Sequence, residues 1–419
     1  MSGILYTPDI GAKINQEDVA AEGVVDASWL LYNGSSDGSP VALGTVAQSS
    51  PIDRGLDMAI LSSTRAVIAM PDSNNSQFGT AVLIDISGTT ASVLDTFVFQ
   101  SIAMEEVKIA TVDSRYAVVY YLDSGGTERG RVIDTDSDTL ANVGSEQNLS
   151  GTINIGVSVG GRWDFEFIDT DEHVGVFRNE SASSNLYGLV IGINTGTGAL
   201  TLNSAVQLSV SNLSNSLRVG MKALSTTVFL MNGNFGVSPN DFPQAITGSK
   251  SGTTISAGTN QQVASIRIRQ LNNPSVNDAG DTVYSSSTSS ADTNPGVIQI
   301  IPVSGTTLSS PIARGTAVNT TASNSVNAAY MLYMETIGTL EYFVGISYDG
   351  SVDDFAFSGF EFDTDTELLR HSGTFTFAAI RGDAIDNCAI EKISSDKVIL
   401  AGKDSNNSNR VTMYTANRI

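Results

Sequence analysis

A pair of short strands joined by a polar turn recurs seven times along this chain at a nearly constant spacing. A spacing this regular indicates an array of repeated units, each of which buries its apolar surface against its neighbours. Such an array explains how 419 residues can form one domain without a single large core. The second strands of the seven pairs begin about 55 residues apart, near Ala66, Ala117, Val174, Val228, Val283, Tyr342 and Val398.

After each of the first six pairs, the sequence continues with a third strand, a short turn and a fourth strand. Repeated four-stranded units with almost no helical periodicity are typical of β-propellers. We therefore expect an all-β fold, a seven-bladed β-propeller of four-stranded antiparallel blades. The turns between third and fourth strands are rich in Gly, Ser, Thr and Asp and begin at Ser87, Asp134, Asn194, Ser251, Ser304 and Asp363.

The last unit ends without a fourth strand, and the amino-terminal region offers one. Residues 40–48 are followed by SSPIDRG, much as the fourth strand of the fifth unit is followed by SSPIARG at 309–315. We expect residues 40–48 to pair with 410–416 and close the ring, so that the propeller domain spans 25–419. Residues 27–33 are then left as an extra outer strand or as an alternative third strand.

The pentapeptide DSNNS occurs at 72–76 and again at 404–408. The two copies fall six repeats apart, which places both of them between the second and third strands, in the first and last units. In a closed ring these units are neighbours, so the two loops are expected side by side. Retention of an ordinary Asn and Ser turn explains the copies without function. The alternative is a ligand-binding role for Asp72, Asn74, Asn75, Asp404, Asn406 and Asn407.

The chain is strongly acidic, with 22 lysines and arginines against 44 aspartates and glutamates. A net charge of −22 repels a phosphate backbone, which excludes nucleic acid as a partner. No apolar stretch is long enough to span a membrane, and the amino terminus lacks the basic and apolar regions of a signal peptide. We therefore expect folding in a cytoplasm without membrane insertion. The single cysteine, Cys388, excludes an intramolecular disulfide.

Two of the turns place carboxylates at alternating positions, as oxygen-rich calcium loops do. The full calcium-loop pattern is missing, and Asp also begins ordinary hairpin turns. We therefore keep calcium as one interpretation of these turns and expect no other cofactor. The candidate ligands are Asp134, Asp136, Asp138, Asp363, Asp365 and Glu367.

Five acidic residues fall at or near the first strands of the units, which would surround the central axis of a propeller. Glycosidases cleave sugars with paired carboxylates, so these acids support a hydrolase as the alternative function. Solvent or a structural water channel is the other explanation for acids at this place. The two histidines have no catalytic or metal-binding spacing and are expected at the surface. The acids are Asp57, Glu106, Asp164, Glu166 and Asp386, and the histidines are His173 and His371.

Two long loops, 232–243 and 285–296, are expected on one face of the propeller. The first mixes two phenylalanines with Asn and Asp, a combination that can stack on a sugar ring and bond its hydroxyls. The alternative is that both aromatic side chains pack on their own blade. The residues of this loop that we expect to contact a ligand are Phe235, Asn240, Asp241 and Phe242.

Residues 1–24 do not fit the repeat and form an extended-looking leader that contains Pro8 and Gly11. A leader of this kind can cross to another subunit and add backbone pairing there. Its apolar side chains would stay exposed on a soluble monomer, which favours a docking arm over a terminus without a partner. The expected anchors are Ile4, Leu5, Tyr6 and Ile10.

An acidic repeat protein rich in Gly, Ser, Thr and Asn, with a non-secretory leader and one cysteine, resembles the β-propeller virion proteins of tailed bacteriophages, particularly marine ones. The resemblance covers residues 25–419 and lies in the style of the repeat; the signatures of WD-repeat proteins and sialidases are missing. It implies a non-enzymatic structural and adhesive protein on the virion surface, a tail fibre or a capsid appendage. The leader would dock on other virion proteins, and the protein could form a homo-oligomer. The loop face would bind a host surface glycan or protein. A carbohydrate-active propeller hydrolase is the alternative.

Overall fold

The computed structural model of this chain consists of antiparallel β-sheets and contains almost no helix. In the described ranges, helix is confined to 3-10 turns at Ser73–Asn75, Asp136–Asp138 and Glu180–Ala182. The structure describes residues 41–47, 55–87, 91–155, 163–212, 219–235, 242–262, 268–271, 274–280, 282–289, 297–310, 313–316, 326–349, 354–381, 388–404 and 410–417.

The described strands are numbered β1 to β30 in chain order and form units numbered 1 to 7, in which a strand of the four-stranded pattern is in some units split in two or shared with the next unit. The first eight strands are β1 Val41–Ala47, β2 Asp57–Ser62, β3 Arg65–Asp72, β4 Phe78–Asp85, β5 Ser92–Thr111, β6 Tyr116–Asp123, β7 Glu128–Asp134 and β8 Ala141–Asn148. Unit 1 contains β2, β3, β4 and the first part of β5. The second part of β5 continues into unit 2 as its first strand and is followed there by β6, β7 and β8.

Units 3 and 4 follow in the same order. Their strands are β9 Trp163–Asp169, β10 Glu172–Asn179, β11 Asn185–Asn194, β12 Ala199–Leu202, β13 Val206–Asn212, β14 Gly220–Ala223, β15 Val228–Phe235, β16 Phe242–Ser251 and β17 Thr254–Gln262. In unit 3, β12 and β13 pair with different parts of β11, so the fourth strand is interrupted. Unit 4 is the uninterrupted meander β14 to β17.

Units 5, 6 and 7 complete the series. Their strands are β18 Ile268–Leu271, β19 Ser275–Val276, β20 Thr282–Ser289, β21 Val297–Ser304, β22 Thr307–Leu308, β23 Ala313–Thr316, β24 Val326–Ile337, β25 Leu340–Asp349, β26 Asp354–Asp363, β27 Leu368–Arg381, β28 Cys388–Ser394, β29 Lys397–Asp404 and β30 Arg410–Asn417. In unit 5 the first strand is split into β18 and β19 and the fourth into β22 and β23. Unit 6 runs from β24 to β27, and unit 7 contains β28, β29, β30 and β1.

The strand pairs expected from the sequence repeat are confirmed as the first and second strands of the seven units. The amino-terminal strand β1 pairs antiparallel with β30, with Val41 opposite Met413 and Ala42 opposite Thr412. This is the pairing that the sequence predicted between residues 40–48 and 410–416. The candidate strand at 27–33 lies outside the described residues.

The second strand of a unit is buried on both of its faces, which explains why it appears in the sequence as an unbroken apolar run. Successive side chains of a strand point to opposite faces. In β3, Ala66 and Ile68 pack in an apolar cluster with unit 7, whereas Val67 and Ala69 pack in a cluster with unit 2. Further apolar clusters join unit 2 to 3, 3 to 4, 4 to 5 and 5 to 6.

The first strands of neighbouring units also lie against one another. Strand β2 contacts both β5 and β28, and β9 contacts both β5 and β14. Strand β24 contacts β19 and β28. Between units 4 and 5, the contact is between β15, the second strand of unit 4, and β18 of unit 5. Each first strand is hydrogen-bonded to its own second strand along one edge. The backbone N–H and C=O groups on its other edge therefore need separate hydrogen-bond partners.

Side chains from the preceding unit supply some of these partners. Asp57 Oδ2 in β2 accepts a hydrogen bond from the backbone N–H of Ile109 in unit 2 at 2.9 Å. Asp164 Oδ2 in β9 accepts one from the backbone N–H of Met221 in unit 4 at 2.8 Å. Two aspartates at matching positions therefore join consecutive first strands.

Equivalent polar links occur at other unit boundaries. Ser275 Oγ in β19 accepts a hydrogen bond from the backbone N–H of Tyr333 in unit 6 at 2.7 Å. The amine of Lys397, at the start of β29, donates to the Ile86 carbonyl of unit 1 at 2.5 Å. Because a buried backbone group without a partner is costly, these links explain polar side chains in an apolar interior.

We expect the change Asp164→Ala to lower the free energy of unfolding by about 1–3 kcal/mol, because the Met221 N–H would remain buried without an acceptor. Asp164→Asn keeps a side-chain oxygen and should lose less. Ser275→Ala tests the same role at the boundary of units 5 and 6. Urea unfolding of the variants measures these differences, and an Ala variant as stable as wild type would contradict the role of Asp164.

Candidate functional site

A cavity of about 230 Å³ opens among the first strands of units 1, 2, 3, 4 and 7. It combines charged side chains with apolar ones, and the charged residues come from four of these units. The lining residues that carry charge are Asp57, Asp164, Glu166, Lys222, Glu391 and Lys392. The repeat therefore brings together side chains that lie more than three hundred residues apart in the sequence.

Two of the carboxylates in this cavity are held by lysines from neighbouring units. The amine of Lys222 lies 2.5 Å from Glu166 Oε1, and the amine of Lys108 lies 3.4 Å from Asp164 Oδ1. The nearby Glu166 carboxylate raises the pKa of Lys222, so this amine is charged at neutral pH. Burial raises the pKa of Glu166, and Lys222 opposes that effect. Both pairs link first strands as the Asp to backbone bonds do.

The other two carboxylates form no ion pair with a described residue. Burial raises the pKa of Asp57 to about 6, with Lys108 opposing the effect and Asp164 adding to it. Burial raises the pKa of Glu391 to about 8, and the neighbouring acids Glu166, Asp57 and Asp164 also favour its protonated form. Glu391 therefore carries a proton at neutral pH, a property found often at functional sites.

Lys392 lines the cavity beside Glu391 but is engaged on another side. Its amine lies 4.8 Å from the centre of the Tyr333 ring and 3.7 Å from Asp278 Oδ1. Burial lowers the pKa of Lys392, and the attraction of Asp278 opposes that change. Lys392 therefore belongs to the boundary between units 5, 6 and 7.

Aromatic side chains complete the cavity on the unit 3 side. Phe167 lines it and is 39% exposed, and its ring meets His173 edge to face with 6.4 Å between ring centres. His173 is fully buried: Nε2–H donates to the Thr111 carbonyl at 2.7 Å, and Nδ1 accepts from the Tyr120 hydroxyl at 2.9 Å. Burial lowers the pKa of His173 to about 4, so the ring is neutral. The expectation of a surface histidine was wrong because Tyr120, from unit 2, covers it.

The sequence had singled out three of the lining acids, and the structure gives them distinct partners. Asp57 and Asp164 bond to backbone of the next unit, and Glu166 pairs with Lys222. Glu106 is buried in β5 and does not line the cavity, and Asp386 lies outside the described residues. Sequence reasoning missed Glu391, although it follows a first-strand apolar residue in the seventh pair and could have been found by aligning the repeats.

The first DSNNS copy forms a turn whose shape explains part of its sequence. Asp72 is buried and its Oδ1 accepts a hydrogen bond from the Asn74 N–H at 2.9 Å, while Ser76 takes a left-handed conformation with φ 57°. The turn after β10 has the same shape, with Asn179 as the cap and Ser183 at φ 58°. Asp72 is thus a capping residue, and Asn74, Asn75 and Ser76 are the exposed members. Asp404 ends β29, and Asn406 and Asn407 lie outside the described residues.

The expected loop at 232–243 is shorter than the sequence suggested. Strand β15 continues through Phe235 and β16 begins at Phe242, and the two residues lie directly opposite each other in the ladder. The connection is therefore 236–241, and Asn240 and Asp241 lie outside the described residues. The loop expected at 285–296 is shortened in the same way, because β20 extends to Ser289.

The turns considered as calcium loops contain other interactions. Arg115 binds Asp134 with two hydrogen bonds of 2.8 and 2.6 Å and lies 3.5 Å from Asp136, while Arg65 of unit 1 binds Asp138. The Arg115 guanidinium lowers the pKa of Asp134. In the second turn, Asp363 Oδ1 accepts from the Asp365 N–H at 3.0 Å, and Glu367 has φ 54°.

The described residues contain neither a metal-binding cluster nor a membrane-spanning helix. They contain no group of three or more His, Cys, Asp and Glu side chains arranged to hold a metal ion. Arg115 and Arg65 pair with the carboxylates of the first acidic turn. Among these residues there is also no helix long and apolar enough to span a membrane.

Comparison with known proteins places the chain by fold. No protein-family model matches it, and the search of curated proteins found no match. Solved structures do match: an ulvan lyase, of a polysaccharide lyase family, bound to a GlcA(1-4)Rha3S unit, is 9% identical, with a TM-score of 0.53 over 91% of this chain and 96% of that chain.

Two further structures have a similar degree of likeness. A 6-phosphogluconolactonase candidate from Bacteroides uniformis is 12% identical, with a TM-score of 0.52 over 82% of this chain and 96% of that chain. A protein from Lactobacillus plantarum is 12% identical, with a TM-score of 0.50 over 77% of this chain and 88% of that chain. The lyase and the lactonase candidate have propeller-like folds. At these identities the likeness concerns the fold alone.

We expect the Glu391→Gln variant to have a higher free energy of unfolding than wild type. This difference should grow as the pH rises from 4.5 to 8. The folded protein keeps the Glu391 proton up to a pKa of about 8, whereas the unfolded chain loses it near 4.5. The folded state therefore binds more protons in this window, and the free energy of unfolding falls as the pH rises. The Gln side chain does not titrate, so the variant does not show this fall in the free energy of unfolding. In wild type the fall is at most about 1.4 kcal/mol for each pH unit.

Urea unfolding at several pH values within this window measures the effect. Glu367→Gln is the matched control, because Glu367 is a solvent-exposed glutamate in a turn and does not line the cavity. A stability difference between the Glu391 variant and wild type that stays constant with pH would show that Glu391 does not hold a proton in the folded state.

Proposed function

We propose that the seven units form a closed seven-bladed β-propeller whose central axis passes through the cavity. Apolar clusters between consecutive units support this arrangement, and so does the cluster that joins unit 7 to unit 1. Contacts between β28 and both β24 and β2 bring the last unit between its two neighbours. The pairing of β1 with β30 supplies the fourth strand of unit 7.

Within this propeller, the cavity is proposed to be a glycan-binding site without catalytic function. The observation that carries the proposal is the combination of Phe167, 39% exposed, with carboxyl and amine groups in one cavity. Sugars present an apolar ring face and polar hydroxyls, so an aromatic surface beside hydrogen-bonding groups suits them. A volume of about 230 Å³ is below the range of drug-sized pockets and fits one sugar ring better than several.

Hydrolysis is the weaker alternative for the same cavity. A glycosidase needs two carboxyl groups free to act on the bond. Here Asp164 is bonded to Met221 N–H and Lys108, Glu166 is paired with Lys222, and one oxygen of Asp57 is bonded to Ile109 N–H. These interactions account for Asp57, Asp164 and Glu166 as links between units.

We expect the protein to bind at least one glycan on a glycan array, and Phe167→Ala to weaken that binding about 2- to 10-fold through loss of ring stacking. Val98→Ala is the matched control, because Val98 is also 39% exposed and does not line the cavity. Equal binding by the Phe167 variant, or no binding by wild type, would refute the cavity as a glycan site.

As the biological setting, we propose the surface of a bacteriophage virion, where the protein would attach the particle to a host glycan or protein. The support is the sequence resemblance described above. The docking residues Ile4, Leu5, Tyr6 and Ile10 lie outside the described residues. Partner proteins in the virion and homo-oligomer formation therefore remain predictions from sequence.

Removal of residues 1–24 is expected to leave a folded protein that no longer joins virus particles. The reason is that these residues fall outside the repeat, which builds the described sheets without them. Circular dichroism checks the fold, and immunoblotting of purified particles measures incorporation. Normal incorporation of the shortened protein would exclude the leader as the anchor.

A further inference from the structure

The carboxyl groups that line the cavity outnumber the amines that line it. Lys222 is paired with Glu166, and Lys108, behind the lining, is paired with Asp164. Lys392 is directed to Asp278 and to the Tyr333 ring. The carboxyl groups of Asp57 and Glu391 are then left without an ion-pair partner among the described residues.

Glu391 has the more acidic surroundings of the two. On the packed elements, it faces Asp57 of β2, Asp164 and Glu166 of β9, and Lys222 of β14. Its own strand adds Lys392, on which Asp278 and Glu335 act. Among the described residues acting on Glu391, Lys222 is the amine that attracts its carboxylate, and that amine lies 2.5 Å from Glu166.

We propose that the cavity selects an amine-bearing sugar, a hexosamine whose ammonium group pairs with Glu391 while its ring lies on Phe167. The ammonium group supplies the ion-pair partner that Glu391 lacks among the described residues, and Phe167 offers an apolar surface within the same cavity. The net charge of −22 attracts cations and repels anionic glycans. This inference rests on the proposed glycan-binding function and names the class of sugar.

The GlcA(1-4)Rha3S unit in the ulvan lyase structure is anionic, which is the opposite of what these charges favour here. A metal ion is a less suitable occupant, because the described acids do not form a group that can hold one. An organic cation needs only a single carboxylate, hydrogen-bonding neighbours and an apolar contact.

Binding of an ammonium group to Glu391 has a measurable consequence. Below its pKa of about 8 the free protein carries a proton on this carboxyl group, and a bound cation favours the ionised form. The proton leaves the carboxyl oxygen for the solvent, and the carboxylate pairs with the ammonium group, which keeps its own protons. Affinity for the ammonium form of the sugar should therefore rise with pH up to the pKa of Glu391.

The test is calorimetric titration at pH 6, where the sugar amines are protonated, in two buffers of different ionisation enthalpy. The probes are glucosamine and its neutral analogue N-acetylglucosamine, together with chito-oligosaccharides in free-amine and N-acetylated forms. We expect the free amines to bind at least about 10-fold more tightly and to release a proton. Glu391→Gln should lower the affinity for the amines by a similar factor, abolish proton release and leave the N-acetylated sugars unchanged.

Glu367→Gln, at an exposed residue that does not line the cavity, should change none of these values. Equal affinity for amine and N-acetylated probes, or proton release that persists in the Glu391 variant, would overturn the hexosamine inference. If none of these probes binds but another glycan on the array binds through Phe167, the hexosamine inference fails and the glycan site is retained. If no glycan binds at all, the proposed function itself has failed.

Discussion

Each unit of this protein begins with a strand that is hydrogen-bonded along one edge, and the free edge must be satisfied by another unit. The free backbone N–H groups on this edge donate hydrogen bonds to side chains of the preceding unit. The accepting side chains are Asp57, Asp164 and Ser275. A buried backbone group without a partner costs about 1–3 kcal/mol, so these contacts fix neighbouring units relative to each other. The apolar clusters provide most of the burial, but they are not directional. The polar links therefore determine where the first strands lie and hence which side chains meet in the cavity.

The same requirement separates structural acids from a functional candidate. Most carboxylates around the cavity have a described partner that holds two units together. Glu391 has none, and its burial raises its pKa to about 8. A group that reduces stability at neutral pH and links no units is poorly explained by folding alone, whereas active and binding sites commonly contain such groups.

Much of the fold was predictable because burial on both faces leaves a clear pattern. The second strand β3 is an unbroken apolar run, and the repeated SSPI segment correctly identified β1 as the partner of β30. The site was less predictable. His173 looked exposed in a polar segment, but its cover, Tyr120, comes from another unit. Partners such as Lys222 and Glu166 are set by how neighbouring units pack, which no local sequence pattern encodes.

The repeated DSNNS sequence shows the difference between what a turn requires and what this chain contains. The turn needs a side-chain oxygen at its first position and a residue that tolerates positive φ at its fifth, supplied by Asp72 and Ser76. Asn179 and Ser183 supply the same features with Glu, Ser and Ala between them, so the three middle residues are free to vary. Strand β1 of unit 7 contacts the Ser73–Asn75 turn of unit 1, so the first copy lies at the boundary between units 7 and 1. Backbone geometry accounts for the ends of DSNNS but not for the repeated Ser-Asn-Asn, and the exposed amides of Asn74 and Asn75 keep a binding role for this surface open to test.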